Sequence, residues 1–465
     1  MGARAAAQAF CFFISILLLR IIPLEAYGLI TFYMSMYHII VVLTVHGISQ
    51  AYLRNSHDPR GDSSTLLYTV SFFGLLGLLI YTLLPFFNIT LGTQLKWETE
   101  TNIMIGSMFI LVPLRATLTT LAQAEKRMDA LIKYQIAINV IAAILAYLLA
   151  RKGLGPIALV SRQLSTELFL ILVYAFVLRW KPSLKFNLSF AKALYKDAMA
   201  LSTNRTCQIL VQRSARLIVF YVYGVVIAGL YDIVCRLLFQ IYNIIGQIQG
   251  QLLPSYIRNI KSKTHHESYL QIYRSSIDIM AIFIFPVLLF VMIYPVEVLD
   301  LYTKKNFLEH AATIRVITLV TLIVAIQGSD QFFISQLAPK RKIVKISLIT
   351  FLCSLATLAL SPLIGLPAVA FADGSYDIFN FISYRKFMGE KIGLSISDQL
   401  LPLLPLPIIG IPLFLIRDSA LNYFYSLLEA PKVVLMIIFL TAVASINLAL
   451  IFIIKKVFSH KLSKG

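Results

Sequence analysis

Apolar residues run along this chain in stretches of about 20 residues, separated by short segments that hold charged residues, proline and glycine. A helix of about 20 apolar residues is long enough to cross the hydrocarbon core of a bilayer, which is roughly 30 Å thick. The pattern therefore predicts an all-α integral membrane protein with about 14 transmembrane helices. The predicted spans cover residues 9–22, 27–50, 66–87, 102–121, 134–150, 155–178, 200–222, 226–254, 277–296, 312–334, 346–361, 364–383, 398–416 and 433–454.

The composition agrees with this pattern. Of the 465 residues, 58% are hydrophobic and 14% are charged, and the mean hydropathy is +0.80. Soluble domains carry about 25% charged residues. The four cysteines lie inside predicted spans, and the sequence has no metal-ligand spacing and no P-loop. No nucleophile and base stand out either. The chain is therefore predicted to be a transporter rather than an enzyme, with no metal site and no cofactor.

Lysine and arginine are distributed unevenly between the predicted loops. Most of the 41 fall in alternate loops, such as residues 124–133, 257–266 and 338–345, and in the C-terminal tail. Because cytoplasmic loops hold an excess of these residues, this places both termini in the cytoplasm. The net charge of +19 favours contact with anionic membrane lipids. Its spread over many loops argues against nucleic acid binding.

Two segments of the chain resemble each other. "AYGLITFYMSMYHIIVVLTVHGISQAYLRN", ending at Asn55, is similar to "AGLYDIVCRLLFQIYNIIGQIQGQLLPSYIRN", ending at Asn259. An offset of about 200 residues predicts two parallel repeats, and in transporters of this design the substrate path lies between the halves. The predicted domains are six-helix bundles at residues 1–180 and 195–390, followed by two extra transmembrane helices and a cytoplasmic tail at 398–465.

The opening stretch "RIIPLEAYGLITFYMSMYHIIVVLTVHGISQAYLRN" joins the first two spans through an arginine, a proline, an acid and Tyr-Gly. It resembles the opening of Wzx-type polysaccharide exporters, which belong to the multidrug/oligosaccharidyl-lipid/polysaccharide superfamily and have a MATE-like fold. "VYGVVIAGLYDIVCRLLFQIYNIIGQIQGQLLPSYIR" and "AEKR" are similar to the family's spans 7 and 8 and to its basic loop after span 4. The resemblance extends to about residue 390. Many members have an acid early in span 7, where this chain has "QRSAR", and this departure puts a coupling scheme built on that acid in doubt.

The resemblance implies a flippase in the bacterial cytoplasmic (inner) membrane. It implies that the substrate is an undecaprenyl-pyrophosphate-linked oligosaccharide, such as an O-antigen or capsule repeat unit. The expected mechanism is alternating access, in which spans 1–6 rock against spans 7–12 and the headgroup moves from the cytoplasmic to the outer leaflet. The expected partners are the lipid-linked glycan and membrane lipids, and in the same process a polysaccharide polymerase and glycosyltransferases.

Eight arginines lie inside predicted spans. An arginine that faces lipid at mid-bilayer costs about 2.5–3.5 kcal/mol on insertion scales, so most of them must face the protein interior. In span 7, three arginines lie at relative angles of about 0°, 80° and 20°, which is one face of the helix. This predicts a cationic cavity that binds a pyrophosphate through paired guanidinium contacts. The predicted substrate-binding residues are Arg213, Arg216, Arg115 and Arg236 near mid-depth, Arg20, Arg162 and Arg315 toward the outer side, and Arg205, for which snorkelling to the inner interface is the alternative.

Acidic residues inside the spans have two possible roles. Each could form an ion pair with an intramembrane arginine, or could exchange a proton or bind sodium and so couple transport to an ion gradient. For Asp330, in the polar stretch "AIQGSDQFFIS", the ion-pair partner would be Arg315 or a span 7 arginine. The candidates for ion coupling are Glu167, Asp232, Asp330, Asp373 and Asp377.

Two other functions use a similar chain. A cation-coupled multidrug or small-molecule exporter of the same fold usually needs acidic residues for cationic drugs, and arginines outnumber acids within these spans. A membrane-embedded glycosyltransferase or polymerase needs a large outer domain, whereas the longest predicted outer loops reach only about 15 residues. The flippase is therefore the leading prediction, and the multidrug exporter is the alternative.

Overall fold

The computed structural model describes residues 2–44, 47–56, 58–84, 98–240, 273–303 except 276, 279 and 283, and 308–393, with the single positions 408, 411, 412 and 414. Every regular element within these ranges is helical, which confirms the all-α prediction. Most of the span predicted at 398–416, the whole of the span predicted at 433–454, the C-terminal tail and the second half of the span predicted at 226–254 lie outside the described residues.

Helices follow one another through short connections. The first eight are α1 (Gly2–Ile21), α2 (Leu24–Thr44), α3 (Ile48–Asn55), α4 (Ser63–Leu83), α5 (Glu98–Ala124), α6 (Met128–Arg151), α7 (Gly155–Leu178) and α8 (Leu188–Tyr223). Residues 225–240 form α9. They are followed by α10 (Phe285–Ile293), α11 (Pro295–Thr303), α12 (Ala311–Leu337), α13 (Lys340–Leu360) and α14 (Leu366–Ile392).

Eight helices in the described part of the chain are long and apolar enough to cross a membrane. Large apolar side chains such as Phe72 and Phe176 lie exposed on these helices, as expected where a helix faces lipid. The prediction of a multi-pass membrane protein is therefore confirmed. The eight ranges are Leu24–Leu43, Ser63–Leu83, Thr99–Ala124, Leu131–Arg151, Gly155–Leu178, Tyr273–Ile293, Leu308–Gln327 and Arg341–Leu363.

Two helices differ in extent from the predicted spans. The span predicted at 27–50 is divided, because Gly47 adopts a φ of 86° between α2 and α3, a conformation that favours glycine. The span predicted at 200–222 begins much earlier, at Leu188. Asn187 caps this start by accepting a hydrogen bond from the backbone N–H of Phe190 at 3.1 Å. The polar residues before position 200 hid the continuous helix from the hydropathy pattern.

The chain forms two compact units, Met1–Ile233 and Val234–Gly465. In the first unit α7 packs against α5 and α6, α4 packs against α5, and α8 packs against α2 and α3. In the second unit α12 packs against α14 and α10, and α13 packs against α14. The predicted domain limits at 1–180, 195–390 and 398–465 stay a prediction.

A close crossing joins α2 and α9 within the first unit. A Cβ atom added to Gly28 would lie 1.9 Å from the carbonyl oxygen of Val225, and one added to Gly229 would lie 2.0 Å from that of Leu24. The contact is reciprocal, because each glycine meets the carbonyl four residues before the other glycine. The two backbones therefore touch with no side chain between them. This crossing joins the two segments that resemble each other in sequence.

A polar network holds α3 and the loop after it, outside the membrane-crossing ranges. The Tyr52 hydroxyl donates a hydrogen bond to the carbonyl oxygen of Pro59. Arg60 Nε donates to Glu125 Oε1 at 2.6 Å, which ties the loop to the end of α5. The loop is thereby fixed against the bundle.

Candidate functional site: charged residues within the membrane helices

The long helix α8 carries three of the predicted substrate-binding arginines. It holds neither glycine nor proline over 36 residues and is about 54 Å long. Arg205 is exposed, whereas Arg213 and Arg216 are partly buried. Counted from Tyr223, the last residue of the helix, Arg213 and Arg216 lie about 15 Å and 10 Å along the axis. Both therefore lie well inside a span, as the sequence indicates.

Arg216 forms an ion pair with Asp232 of α9. The distance between Arg216 Nε and Asp232 Oδ1 is 3.5 Å, and their side chains are 14% and 4% exposed. Gly224, with a φ of 87°, makes a one-residue turn between α8 and α9 and brings the two helices together. Removal of one partner of such a pair leaves an uncompensated buried charge. The ion-pair role that the sequence left open for Asp232 is therefore the one observed.

A second ion pair joins α5 to α7. Arg115 Nε donates to Glu167 Oε2, and the two side chains are 29% and 10% exposed. Tyr37 of α2 and Tyr174 of α7 lie within electrostatic range of Arg115. Glu167 therefore neutralises an arginine inside the first unit.

Three other predicted arginines donate hydrogen bonds to neutral groups. They are Arg205, whose Nη1 donates to Gln208 Oε1 at 2.5 Å; Arg162, whose Nη1 donates to Ser15 Oγ at 2.9 Å; and Arg315, whose Nε donates to the carbonyl oxygen of Met292 at 3.3 Å. The guanidinium of Arg315 also lies 5.4 Å from the centre of the Phe414 ring. Arg20 and Arg236 are exposed on α1 and α9.

The predicted acids of the second unit lie on two helices that pack together, α12 and α14. Asp330 of α12 is buried and accepts a hydrogen bond from the Tyr273 hydroxyl at 2.7 Å. Arg385 of α14 lies within electrostatic range of Asp330. Asp377 is buried and Asp373 is partly buried on α14. In the described part of the chain, no group of three or more His, Cys, Asp or Glu side chains has an arrangement that could hold a metal ion.

The structure adds partners that the sequence did not indicate. Tyr273 and Arg385 adjoin Asp330, and Ser15 adjoins Arg162. Tyr273 and Ser15 are neutral, and Arg385 belongs to a loop that the sequence assigned to the cytoplasm. A search for charged residues inside spans therefore did not find them. Polar residues inside apolar spans are a signal that could have drawn attention to Ser15.

A comparison with protein families supplies the classification. The profile described as polysaccharide biosynthesis protein matches residues 17–312, which is more than half of the chain. The chain belongs to this family. The match agrees with the resemblance to polysaccharide exporters. A search of curated proteins found no significant sequence match.

Solved structures of transporters share the fold. The lipid II flippase MurJ, in its inward closed conformation, is similar with a TM-score of 0.66 and 12% sequence identity, over 99% of this chain and 98% of that chain. A multidrug resistance MATE family transporter in its inward-facing conformation is similar with a TM-score of 0.55 and 14% identity, over 84% of this chain and 99% of that chain. The prediction of a MATE-like fold is therefore confirmed. The titles name a flippase and a transporter, in agreement with a transport protein rather than an enzyme.

Proposed function

We propose that this protein is a flippase that moves an undecaprenyl-pyrophosphate-linked oligosaccharide, such as an O-antigen or capsule repeat unit, from the cytoplasmic to the outer leaflet of the bacterial inner membrane. Membership of the polysaccharide biosynthesis protein family and the fold shared with a lipid II flippase support it. In this proposal both termini are cytoplasmic, and the polymerase and glycosyltransferases of the same glycan act beside it.

The observation that carries the proposal is the arginine pair on α8. Arg213 and Arg216 lie three residues apart, so they occupy one face of a helix well inside the span. Asp232 holds the Arg216 guanidinium and balances its charge. Arg213 is then the leading residue for contact with the pyrophosphate, because a guanidinium binds two phosphate oxygens at once. Arg216 maintains the positive potential beside it.

The other arginines extend this path in the proposal. Arg236, on the helix after the one-residue turn, and Arg205, toward the start of α8, flank the α8 pair along the two helices. Arg115, held by Glu167, contributes from the first bundle, and Arg20, Arg162 and Arg315 receive the headgroup or acidic sugars on the outer side. Each contact must be weak enough for release, because alternating access needs binding that both states can leave.

Ion coupling is the second part of the proposal. Glu167 and Asp232 already neutralise arginines, so Asp330, Asp373 and Asp377 are the better candidates for exchange of a proton or a sodium ion. Asp330 is buried against a tyrosine hydroxyl, which can stabilise its charged form. No cofactor is needed in this scheme.

The test is glycan export in a strain that lacks its own flippase, with matched amounts of each variant in the membrane. Loss of one charge-assisted contact costs about 1.5–3 kcal/mol. We therefore expect R213Q to lower the rate of export by roughly tenfold to a hundredfold and to accumulate the lipid-linked precursor, whereas R213K retains part of the activity. R151Q, at the exposed end of α6, is the matched control.

Normal export by R213Q would contradict the pyrophosphate path. The fold is shared with a multidrug resistance transporter, so resistance of the same strains to cationic drugs is measured alongside export. Drug resistance without glycan export would identify the alternative, a cation-coupled multidrug exporter.

A further inference from the structure

The segment that connects α7 to α8, residues 179–187, is fixed to the start of α4. Ser183 N donates to Ser64 Oγ at 2.8 Å, and Asn187 N donates to Thr65 Oγ1 at 3.2 Å. The Tyr68 hydroxyl donates to the carbonyl oxygen of Ser183 at 2.9 Å. The helix α4 is one of the membrane-crossing helices and begins here. The connecting segment therefore lies at the boundary where a span enters the membrane.

Apolar and basic side chains alternate on this fixed segment and point away from the bundle. Leu184 is 96% exposed, and Phe186 and Leu188 are 50% and 58% exposed. Lys181 and Lys185 are exposed between them. Fully exposed leucine is unfavourable in water at a position that the backbone holds in place. The apolar side chains therefore need an apolar neighbour that also tolerates lysine.

The first turns of α8 continue the same pattern. At 100° per residue, one exposed stripe contains Leu188, Lys192, Lys196 and Met199. The opposite face, formed by Ala191, Leu194 and Ala198, is buried against α3 and α4. The orientation of the stripe is thus set by packing of the other face.

The charge of this surface is positive throughout. Residues 179–199 contain five basic residues, Arg179, Lys181, Lys185, Lys192 and Lys196, and one acid, Asp197. Asp197 accepts a hydrogen bond from Asn55 Nδ2 at 2.8 Å on the side of α3. The basic residues on the exposed side therefore keep their charge for an external partner.

We propose that residues 179–199 form a binding surface for anionic phospholipids of the adjoining leaflet. Leu184, Phe186 and Leu188 enter the boundary between headgroups and acyl chains, while Lys181 and Lys185 contact lipid phosphates. A lipid surface fits better than a protein, because the surface adjoins the end of a span and mixes lysine with exposed aliphatic side chains. The inference goes beyond the flippase function and does not depend on which substrate is carried.

Trp180, inside the connecting segment, supplies a probe. The chain has two tryptophans, so Trp97→Phe leaves Trp180 as the sole tryptophan. The full-length protein is placed in phosphatidylcholine nanodiscs in which a minor fraction of lipid, either phosphatidylglycerol or phosphatidylcholine, carries brominated acyl chains. The measured quantity is the quenching of tryptophan fluorescence by each brominated lipid.

We expect brominated phosphatidylglycerol to quench more strongly than brominated phosphatidylcholine. The double variant K181Q/K185Q should lose this preference by on the order of tenfold, and K181R/K185R should keep it. The matched control K133Q/K152Q removes the same charge from exposed lysines elsewhere and should change nothing. L184S/F186S should reduce quenching by both lipids.

Three results would overturn the proposal. Equal quenching by the two lipids in the parent protein would remove the anionic preference. An equal loss in K133Q/K152Q would assign the preference to net charge instead of this surface. Stronger competition by undecaprenyl phosphate than by phosphatidylglycerol at equal charge would assign the surface to the transported lipid.

Discussion

The reciprocal glycine crossing of α2 and α9 leads to a sharp prediction about packing. In Gly28→Ala the new Cβ would lie 1.9 Å from the Val225 carbonyl oxygen, whereas ordinary contacts begin at 3.4 Å. The helices must therefore separate by about 1.5 Å at the crossing, or the Cβ must overlap a backbone atom. A side chain could rotate away from such a clash, but a helical carbonyl cannot.

Overpacking of this kind costs about 1–3 kcal/mol. Glycine to alanine inside a helix otherwise stabilises by roughly 1 kcal/mol. Gly106→Ala is a matched control, because its Cβ would meet only Leu78 Cδ1 at 3.6 Å. We expect Gly106→Ala to be neutral or stabilising and Gly28→Ala to be destabilising. Gly229→Ala should resemble Gly28→Ala, since its Cβ would lie 2.0 Å from the Leu24 carbonyl oxygen.

The free energy of unfolding in detergent micelles, measured by denaturant titration, distinguishes these outcomes. The double variant of Gly28 and Gly229 adds a second test. Both Cβ atoms push the same two helices apart, so the second substitution should cost less than it does alone. Equal stability of the Gly28→Ala and Gly106→Ala proteins would refute the close crossing, and strictly additive costs would refute its reciprocity.

Two further predictions concern charged and titratable groups. Glu167→Gln leaves Arg115 without its partner, and we expect a loss of about 3 kcal/mol, at the lower end for buried pairs because Arg115 is 29% exposed; denaturant titration of this variant and of R115M/E167M checks it, and no recovery in the double variant would argue against the ion pair as the cause. Burial, with smaller contributions from nearby carboxylates such as that of Asp62, raises the pKa of Tyr52 to about 12, so the folded state holds this proton more tightly than the unfolded chain does and stability should fall as the pH rises from about 10 to about 12. Tyr52→Phe should lack this fall in thermal unfolding curves, and an identical pH profile in both proteins would count against the assignment.

The sequence predicted the membrane class and the fold because both follow from apolar length and from local motifs. Apolar stretches of span length are visible without knowledge of packing. The break at Gly47 was missed, because α3 continues the apolar pattern of α2 and only the backbone conformation of one glycine separates them. The early start of α8 at Leu188 was missed for the opposite reason, since its first turns are too polar to register as a span.

The charged site was predictable only where a local rule applied. Arg216 and Asp232 lie eight residues before and after Gly224, and two helices joined at a one-residue turn bring such positions level. That symmetry was present in the sequence. Arg115 and Glu167 lie on α5 and α7, which are not consecutive, so only the packing of the bundle brings them together.

The continuous length of α8 has a mechanical consequence. No glycine or proline interrupts its 36 residues, so the helix has no hinge of its own. A tilt of about 10° around the midpoint of a rod of about 54 Å moves its two ends by roughly 5 Å in opposite directions. Leu188 lies at one end, and Arg213 and Arg216 lie toward the other. Whatever shifts the first turns of this lever also shifts the guanidinium groups, with the direction of motion reversed.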